Sequence, residues 1–505
     1  MKNKKLIRII AIVLAVLLVG GVVFGALVSA LAEEPTTVGN ADRHRCELTM
    51  EYLADDQALH ITQRLVCFNG TGRRLKAMVF YAAGNMFRRQ SALMYGQDDL
   101  ERVFFAGYSP AGIDLRSVRC DGKPTDFGFR GEDELYLRVS CDTSPGGRCV
   151  FEFDYYLLLM RCGAFQGVGD MDVRLSAFCF VPGVYDALTG QFSMKRPLAH
   201  ARWLDCEATD YRATLTIPGG WMLCATGRAV KESEADGRGV WRIEADGVRD
   251  FALSFGRRWR SMERESASGV RVRALTNVRG ASKRMLDVAA DAIERCEAWF
   301  GRFPLDALDL AQSDAPLDAC VFPGVVWLPS DLLAPDRADD LAQRIRFAVA
   351  QQYFGLSAWV EPSADAWLSD SVSEYVACLL LEAASGRERF LAYVNRDWVS
   401  ALQQTVPGGL RITSDAALFD AKTYDLMVRR RGAVVMHELR LAMGPEGLLA
   451  GLKAFYEMGE DGRTLTEKDF VSALDAATGE SWEAFLTDWL FNVGDYVQQD
   501  MTWYE

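Results

Sequence analysis

Arg346-Phe347-Ala348-Val349-Ala350-Gln351-Gln352-Tyr353-Phe354-Gly355 and, a short connection later, Trp367-Leu368-Ser369-Asp370-Ser371-Val372-Ser373-Glu374-Tyr375 are the two blocks whose reading decides the fold of this chain. Both are read as helices packed as a pair. On the first, Phe347 and Gln351 are four residues apart, so their side chains rise from one face, one turn apart, with Ala348 beside them. The second carries two carboxylates, Asp370 and Glu374.

The chain around these blocks has 505 residues, half of them apolar, enough to bury a large core in two or three domains. Its net charge of −13 and pI near 5.1 argue against a polyanion-binding surface, because nucleic-acid binders concentrate Lys and Arg; no nucleic-acid partner is expected. Lys2, Lys4, Lys5 and Arg8 precede an uncharged stretch from Ile9 to Ala32, long enough to cross about 30 Å of hydrocarbon as a helix. A single-pass anchor through residues 9–32 is expected, with the positive flank inside and the C-terminal bulk extracytoplasmic. Ala30-Leu31-Ala32 has the small-x-small form of a signal-peptidase site, so cleavage after Ala32 and secretion is the alternative. The twelve cysteines include no C-x-x-C motif, since no two lie closer than the eight positions between Cys141 and Cys149. Nine of them fall before residue 225, where they read either as disulfide partners in an exported protein or as small apolar residues buried on strands.

Leu59, Ile61, Leu65 and Cys67 alternate with His60, Thr62 and Arg64, the period-two pattern of a half-buried strand. Asn69-Gly70 marks a turn; Asn69-Gly70-Thr71 is also formally a glycosylation sequon, with the turn as the plainer reason for those residues. The alternation returns at Cys149, Phe151, Phe153 and Tyr155 and at Ala213, Leu215 and Ile217. After Val270 to Ala274 the period changes, and Met285, Ala289, Ala292, Ile293, Cys296 and Phe300 fall on one helical face. The expected class is α+β and multidomain: a basic flank and membrane helix over 1–36, an antiparallel β-sandwich or saddle over 37–262, and a mainly helical domain over 263–505.

From about Glu47 onward the chain resembles the first two domains of the membrane alanyl aminopeptidase family, M1-like peptidases with a thermolysin-like gluzincin fold. The two opening blocks resemble its H-E-x-x-H-Q-W-F-G and W-L-N-E-G-x-x-E-Y. In the same order come Phe68-Asn69-Gly70-Thr71, Asp210-Tyr211, Leu215-Thr216-Ile217-Pro218-Gly219-Gly220, Arg249-Asp250-Phe251-Ala252, Trp299-Phe300-Gly301-Arg302-Phe303-Pro304-Leu305 and Phe485-Leu486-Thr487-Asp488-Trp489-Leu490.

The resemblance implies a zinc site, and this chain departs from it at the reactive positions. Such a site needs two His at i and i+4, a Glu between them as base, and a Glu on the next helix as third ligand. In register with Gln352-Tyr353-Phe354-Gly355, the two His positions hold Phe347 and Gln351, the base position Ala348, and the third-ligand position Asp370. The family's amine-gripping Glu, in G-x-M-E-N, falls on Val321 within Asp318-Ala319-Cys320-Val321-Phe322-Pro323-Gly324. Its oxyanion Tyr falls on Arg429, two residues before Arg431-Gly432-Ala433, while Tyr424 keeps an aromatic hydroxyl five residues earlier. Phe and Ala cannot ligate and Gln is a poor ligand for zinc, so no zinc cofactor and no catalytic residue is expected. His437-Glu438-Leu439-Arg440-Leu441 begins like H-E-x-x-H but ends in Leu, and no small shift of register brings another of the four histidines into the first helix.

The candidates for binding at the altered cleft are Gln351, Asp370, Glu374, Tyr424 and Arg429. Arg429 could meet a peptide carboxylate, and Asp370 with Glu374 a cation or peptide amine. The plainer readings make Asp370 and Glu374 helix-surface or capping acids, and have two of the three arginines Arg429, Arg430 and Arg431 solvated or paired with nearby Asp425 and Glu438. Three functions compete: a membrane-anchored pseudopeptidase that binds a peptide or a membrane partner, a divergent zinc metallo-aminopeptidase with ligands from elsewhere, and a structural accessory ectodomain of an envelope complex.

Overall fold

Period-two patterning makes the first half of the chain a stack of strands. In the computed structural model, which describes residues 43–89, 97–131, 133–196, 198, 205–315, 319–406 and 408–496, β1 (His44–Leu53) and β2 (Ala58–Phe68) bury alternate side chains along most of their length. β3 (Leu75–Tyr81), β4 (Gly112–Cys120), β5 (Lys123–Pro124), β6 (Phe127–Arg130), β7 (Tyr136–Thr143) and β8 (Arg148–Leu158) follow, then β9 (Thr209–Pro218), β10 (Arg228–Ala235) and β11 (Arg238–Val248). Eight of them form one sheet in the order β10-β11-β9-β1-β2-β8-β4-β5. β3, β6 and β7 join Val181–Pro182 in a smaller sheet. The two share one core, with Phe80 of β3 set edge-on to Phe151 and Phe153 of β8 at 4.9 and 5.4 Å.

The expectation of a purely antiparallel sheet needs one correction. β1 runs parallel to β9, with His44 opposite Thr209, while the other ladders of the large sheet are antiparallel. Parallel neighbours need a long crossover, and the segment that contains the smaller sheet provides it. The turn reading of Asn69 holds. Asn69 is 1% exposed and its amide nitrogen donates to the carbonyls of Arg73, Thr143 and Ser144 at 2.8 to 3.1 Å, which leaves no nitrogen open for a glycan.

The second correction concerns the start of the helical part. β12 (Arg260–Glu265), β13 (Arg271–Thr276), β14 (Ala307–Ser313), β15 (Cys320–Phe322) and β16 (Val325–Pro329) form a mixed sheet in the order β12-β13-β14-β16-β15. Its central strands are buried on both faces, so they lack the alternation that exposes strands to sequence reading.

The helices that carry the site then follow. α1 (Ala281–Phe300) buries the predicted face, and α2 (Ala338–Gln351) runs directly into a π-helical turn over Gln352–Ser357. α3 (Ala366–Ser385) is buried at every residue from Ala366 to Leu380, polar ones included, because other elements pack around it on all sides. α4 (Arg387–Val394) and α5 (Gly432–Met458) complete the surround, the latter preceded by π-helical backbone over Asp425–Arg431. All twelve cysteines are free thiols, buried except for Cys120 and Cys141. Among the described residues no helix is long and apolar enough to cross a membrane; the anchor expected over 9–32 lies outside them.

Candidate functional site

The aromatic and amide residues of the opening blocks hold the frame. Gln352 accepts from the Gly324 amide at 3.0 Å and donates to the Phe322 carbonyl at 3.2 Å, which ties the edge strand β15 to α2. Tyr353 donates to the Gly301 carbonyl at 3.0 Å, where the chain leaves α1 with Gly301 at φ 98°, and packs on Phe300, Phe303 and Tyr456. Trp367 meets Phe470 edge-on at 5.8 Å. Tyr375 bonds His437 Nδ1 at 3.1 Å. These side chains do structural work that needs no metal.

The positions named for chemistry converge on Asp370. Gln351 Nε2 donates to its Oδ1 at 2.9 Å, and Ser369 Oγ donates to the same oxygen at 3.2 Å. Arg429 Nε and the Tyr424 hydroxyl donate to Oδ2 at 3.1 and 3.2 Å. The Arg429 guanidinium also lies 5.1 Å over the Phe347 ring, a cation–π contact. The Asp370 side chain is 4% exposed and that of Arg429 16%, so the pair is largely withdrawn from water. Ala348 is fully buried on α2 beside them.

Helix geometry explains why Arg429 reaches in. The π-helical turn over 425–431 shifts the hydrogen-bond ladder, and the Val428 carbonyl accepts from Ser371 Oγ of α3 at 2.6 Å. Gly432 follows and brings α5 so close to α3 that an added Cβ would overlap Ser371. The other two arginines point elsewhere. Arg430 pairs with Asp425 at 2.7 Å as expected, whereas Arg431 bonds the Ala401 and Gln404 carbonyls and not Glu438.

Two further positions take no part in these contacts. Val321 sits half-buried on β15 opposite Val326, packed against the helical core. Glu374, one turn along α3 from Asp370, accepts from the Tyr393 hydroxyl at 2.6 Å. Burial pushes the Glu374 carboxyl up, while the nearby Arg344 and the Tyr393 bond pull it back. The reading of Asp370 and Glu374 as helix-surface acids is thus overturned, since both are buried on a helix enclosed by its neighbours. No local sequence pattern links Tyr393 and Arg344 to Glu374, so only the fold brings them to the site.

A gluzincin zinc site draws three protein ligands from two helices. Here one carboxylate is available and four donors already saturate it, so these residues do not fit the metal. Among the described residues no three His, Cys, Asp or Glu side chains converge to hold a metal ion elsewhere. His437 is buried among Tyr375, Phe390 and Trp398; burial, with Arg387 and Arg440 nearby, holds its imidazole down to about 4. It is a core histidine.

No protein-family model matches the chain. Over 283 residues, 51% of this chain and 32% of the relative, it is 27% identical to aminopeptidase N of Lactococcus lactis subsp. lactis, so the chain spans about a third of that relative's length. The structure superposes on the M1 zinc metallopeptidase from Deinococcus radiodurans with a TM-score of 0.61 at 16% identity, covering 88% of this chain and 93% of that one. A mutant of that enzyme bound to a Tyr-Ser-Ala substrate gives a TM-score of 0.61 at 17% identity, covering 89% and 94%. The fold is that of the M1 zinc metallopeptidases.

Proposed function

We propose that this chain is a catalytically silent protein on the aminopeptidase fold. It is tethered to a membrane through residues 9–32 with its bulk extracytoplasmic, and it binds a partner, a peptide or a membrane protein, without cleaving it. One observation carries this reading: the Asp370 carboxylate is occupied by the Arg429 guanidinium, with Tyr424 and Gln351 completing its shell. In a zinc peptidase the metal lowers the pKa of a bound water and a neighbouring carboxylate takes its proton, and these parts act as one unit. A guanidinium stays charged and cannot cycle a proton near neutral pH. Ala348 offers no base and Arg429 no phenol, and loss of a single oxyanion donor already costs about 100- to 1,000-fold. With Asp370 and Arg429 engaged by each other, recognition falls to surfaces outside this cluster.

The test is zinc analysis of the purified full chain together with hydrolysis of leucine and alanine anilides, with and without chelator. The expected result is no stoichiometric zinc and no turnover; one zinc per chain with chelator-sensitive turnover sinks the proposal. A variant with Phe347→His, Ala348→Glu, Gln351→His, Asp370→Glu and Arg429→Tyr is expected to take up zinc where the parent does not. Crosslinking in membranes then separates a peptide ligand from a membrane-protein partner.

A further inference from the structure

The mixed sheet has two edges. β15 at one is tied to α2, whereas β12 at the other pairs only with β13, and among the described residues no further backbone group bonds to it. All six residues of β12 are exposed. The pairing with β13 fixes which backbone groups turn outward. Arg271 donates its N–H to the Asp306 carbonyl at 3.1 Å, on the side of β14, so Arg271 and its partner Glu265 exchange no hydrogen bonds with each other. One residue on, the Ser266 N–H donates to the Val270 carbonyl at 2.9 Å, which agrees with that phase. Counting back by twos, Glu263 and Ser261 share the phase of Glu265, and all three present N–H and C=O to the open edge.

The side chains sort by the same alternation. Arg260, Met262 and Arg264 stand on the face toward α1, since Arg264 pairs with Asp287 of that helix at 2.8 Å. Met262 is 49% exposed between the two arginines. Ser261, Glu263 and Glu265 occupy the opposite face, where Glu263 approaches Arg271 at 3.9 Å. Arg257 and Arg258 come just before the strand, and Arg279 lies shortly past Thr276, the partner of Arg260. Arg257, Arg258, Arg260 and Arg279 are all exposed, and none of them pairs with an acid among the described residues.

We propose that β12 is a docking edge for an extended acidic segment of another protein, which adds to the mixed sheet as a further strand. The backbone of the segment pairs with the N–H and C=O groups of Ser261, Glu263 and Glu265. On the α1 face it sets acid, apolar and acid side chains against Arg260, Met262 and Arg264 in either direction of the strand. Arg257, Arg258 and Arg279 add positive potential at the Arg260 end, in a chain whose net charge is −13. On the other face Glu263 and Glu265 repel acids, so the acids of the segment alternate with neutral residues instead of running together. The charges that guard this edge against apolar strands thus select what can pair with it. This names the class of partner for the non-cleaving binder proposed above, and rests on that reading only for the survival of the bound segment.

The full chain in detergent is titrated with a fluorescent peptide that carries glutamate, valine and glutamate at alternate positions with threonine between them. Binding is followed by anisotropy, with and without chelator, and the mass of the peptide is measured afterwards. Saturable binding that weakens with rising salt is expected, and none for the same peptide with lysine in place of glutamate. Arg258→Glu with Arg260→Glu should weaken binding by about tenfold. Glu263→Pro removes one outward N–H, leaves the β13 ladder intact and should weaken binding by about 2- to 10-fold. The bound peptide should slow hydrogen exchange at the amides of Ser261, Glu263 and Glu265. If Glu263→Pro does not fold, the arginine reversals and the exchange map decide the matter. No binding, binding that ignores the arginine reversals, or binding without slowed exchange at these amides overturns the proposal. So does a dimer of the chain that Glu263→Pro dissociates, which would give the edge to a second copy. A cleaved peptide would refute the catalytically silent reading, whereas an intact peptide that fails to bind refutes the docking edge alone.

Discussion

Arg429→Met is the sharpest perturbation of the cluster around Asp370. Methionine keeps an unbranched stem to lie on Phe347 and removes the charge. What remains is an Asp370 carboxylate with a side chain 4% exposed and no cation in contact. Breaking a buried ion pair from one side typically costs about 3–5 kcal/mol, because the stranded charge keeps its desolvation penalty. Gln351, Tyr424 and Ser369 still donate to the carboxylate, and Arg429 is itself 16% exposed, so the lower end, about 3 kcal/mol, applies here. For a domain of this size that corresponds to a fall in Tm of about 6–12 °C. Asp370→Asn alone should also destabilise, since it leaves the guanidinium facing a neutral amide. The double variant should recover most of the loss, with a coupling energy of about 2 kcal/mol. Thermal unfolding followed by circular dichroism and by the fluorescence of the buried Trp367 and Trp398 measures all four proteins. An Arg429→Met protein that melts with the wild type, or a double variant no better than the worse single, would refute the claim that this pair neutralises the site.

Gly432→Ala should destabilise by about 1–3 kcal/mol or more, because the new Cβ would meet Ser371 Cβ at 2.6 Å and displace the hydroxyl that holds Val428 O. Combining it with Ser371→Gly should restore part of the loss in a urea titration, whereas a strictly local helix-propensity effect would give no rescue. His437 predicts a pH dependence. Its folded-state value lies near 4, below the ordinary 6.5, so the unfolded chain takes up a proton first and the stability due to neutral His437 is lost as pH falls from 6.5 through 4. His437→Gln lacks this limb, and between pH 7 and pH 4 its stability relative to wild type should rise by about 2–3 kcal/mol. Asp205 and Asp365, both pushed up to about 6 chiefly by burial, act in the opposite direction but equally in both proteins, so they cancel in the comparison. A constant difference across that range would refute the assignment.

The parts of the fold legible in the sequence are those where one face meets water. β2, β8 and β9 show their alternation plainly, and α1 shows its apolar stripe. The sheet from β13 to β16 lay hidden because its strands are enclosed, and the parallel β1–β9 ladder because pairing across that distance leaves no local mark. α3 misleads most. Ser369-Asp370-Ser371 and Ser373-Glu374 look like an exposed helix face, yet several of these polar groups are satisfied from another element: Asp370 by Gln351, Ser371 by Val428 and Glu374 by Tyr393. In the sequence only the spacing to Arg431-Gly432-Ala433 marks Arg429, and its pairing with Asp370 depends on a π-helical turn that local sequence does not announce.

Under the proposed function, the residues at the four ligand and base positions act with Arg429 as a coupled set. A buried carboxylate needs a nearby positive charge or several strong donors, since an isolated ion in a low-dielectric interior costs several kcal/mol. On the proposed reading, zinc supplied that charge while imidazoles stood where Phe347 and Gln351 now are. With both imidazoles gone, a carboxylate at 370 would have been stranded. Arg429 provides the cation, Gln351 an amide in place of a ligand, and Phe347 a ring face for the guanidinium to lie on. It follows that returning the four ligand and base positions alone would set zinc beside a fixed guanidinium, and the repulsion between two cations would oppose binding. Exchange of Arg429 for tyrosine therefore belongs with the ligand reversions, and recovery of zinc with Arg429 still in place would show that the guanidinium does not occupy the metal's electrostatic role.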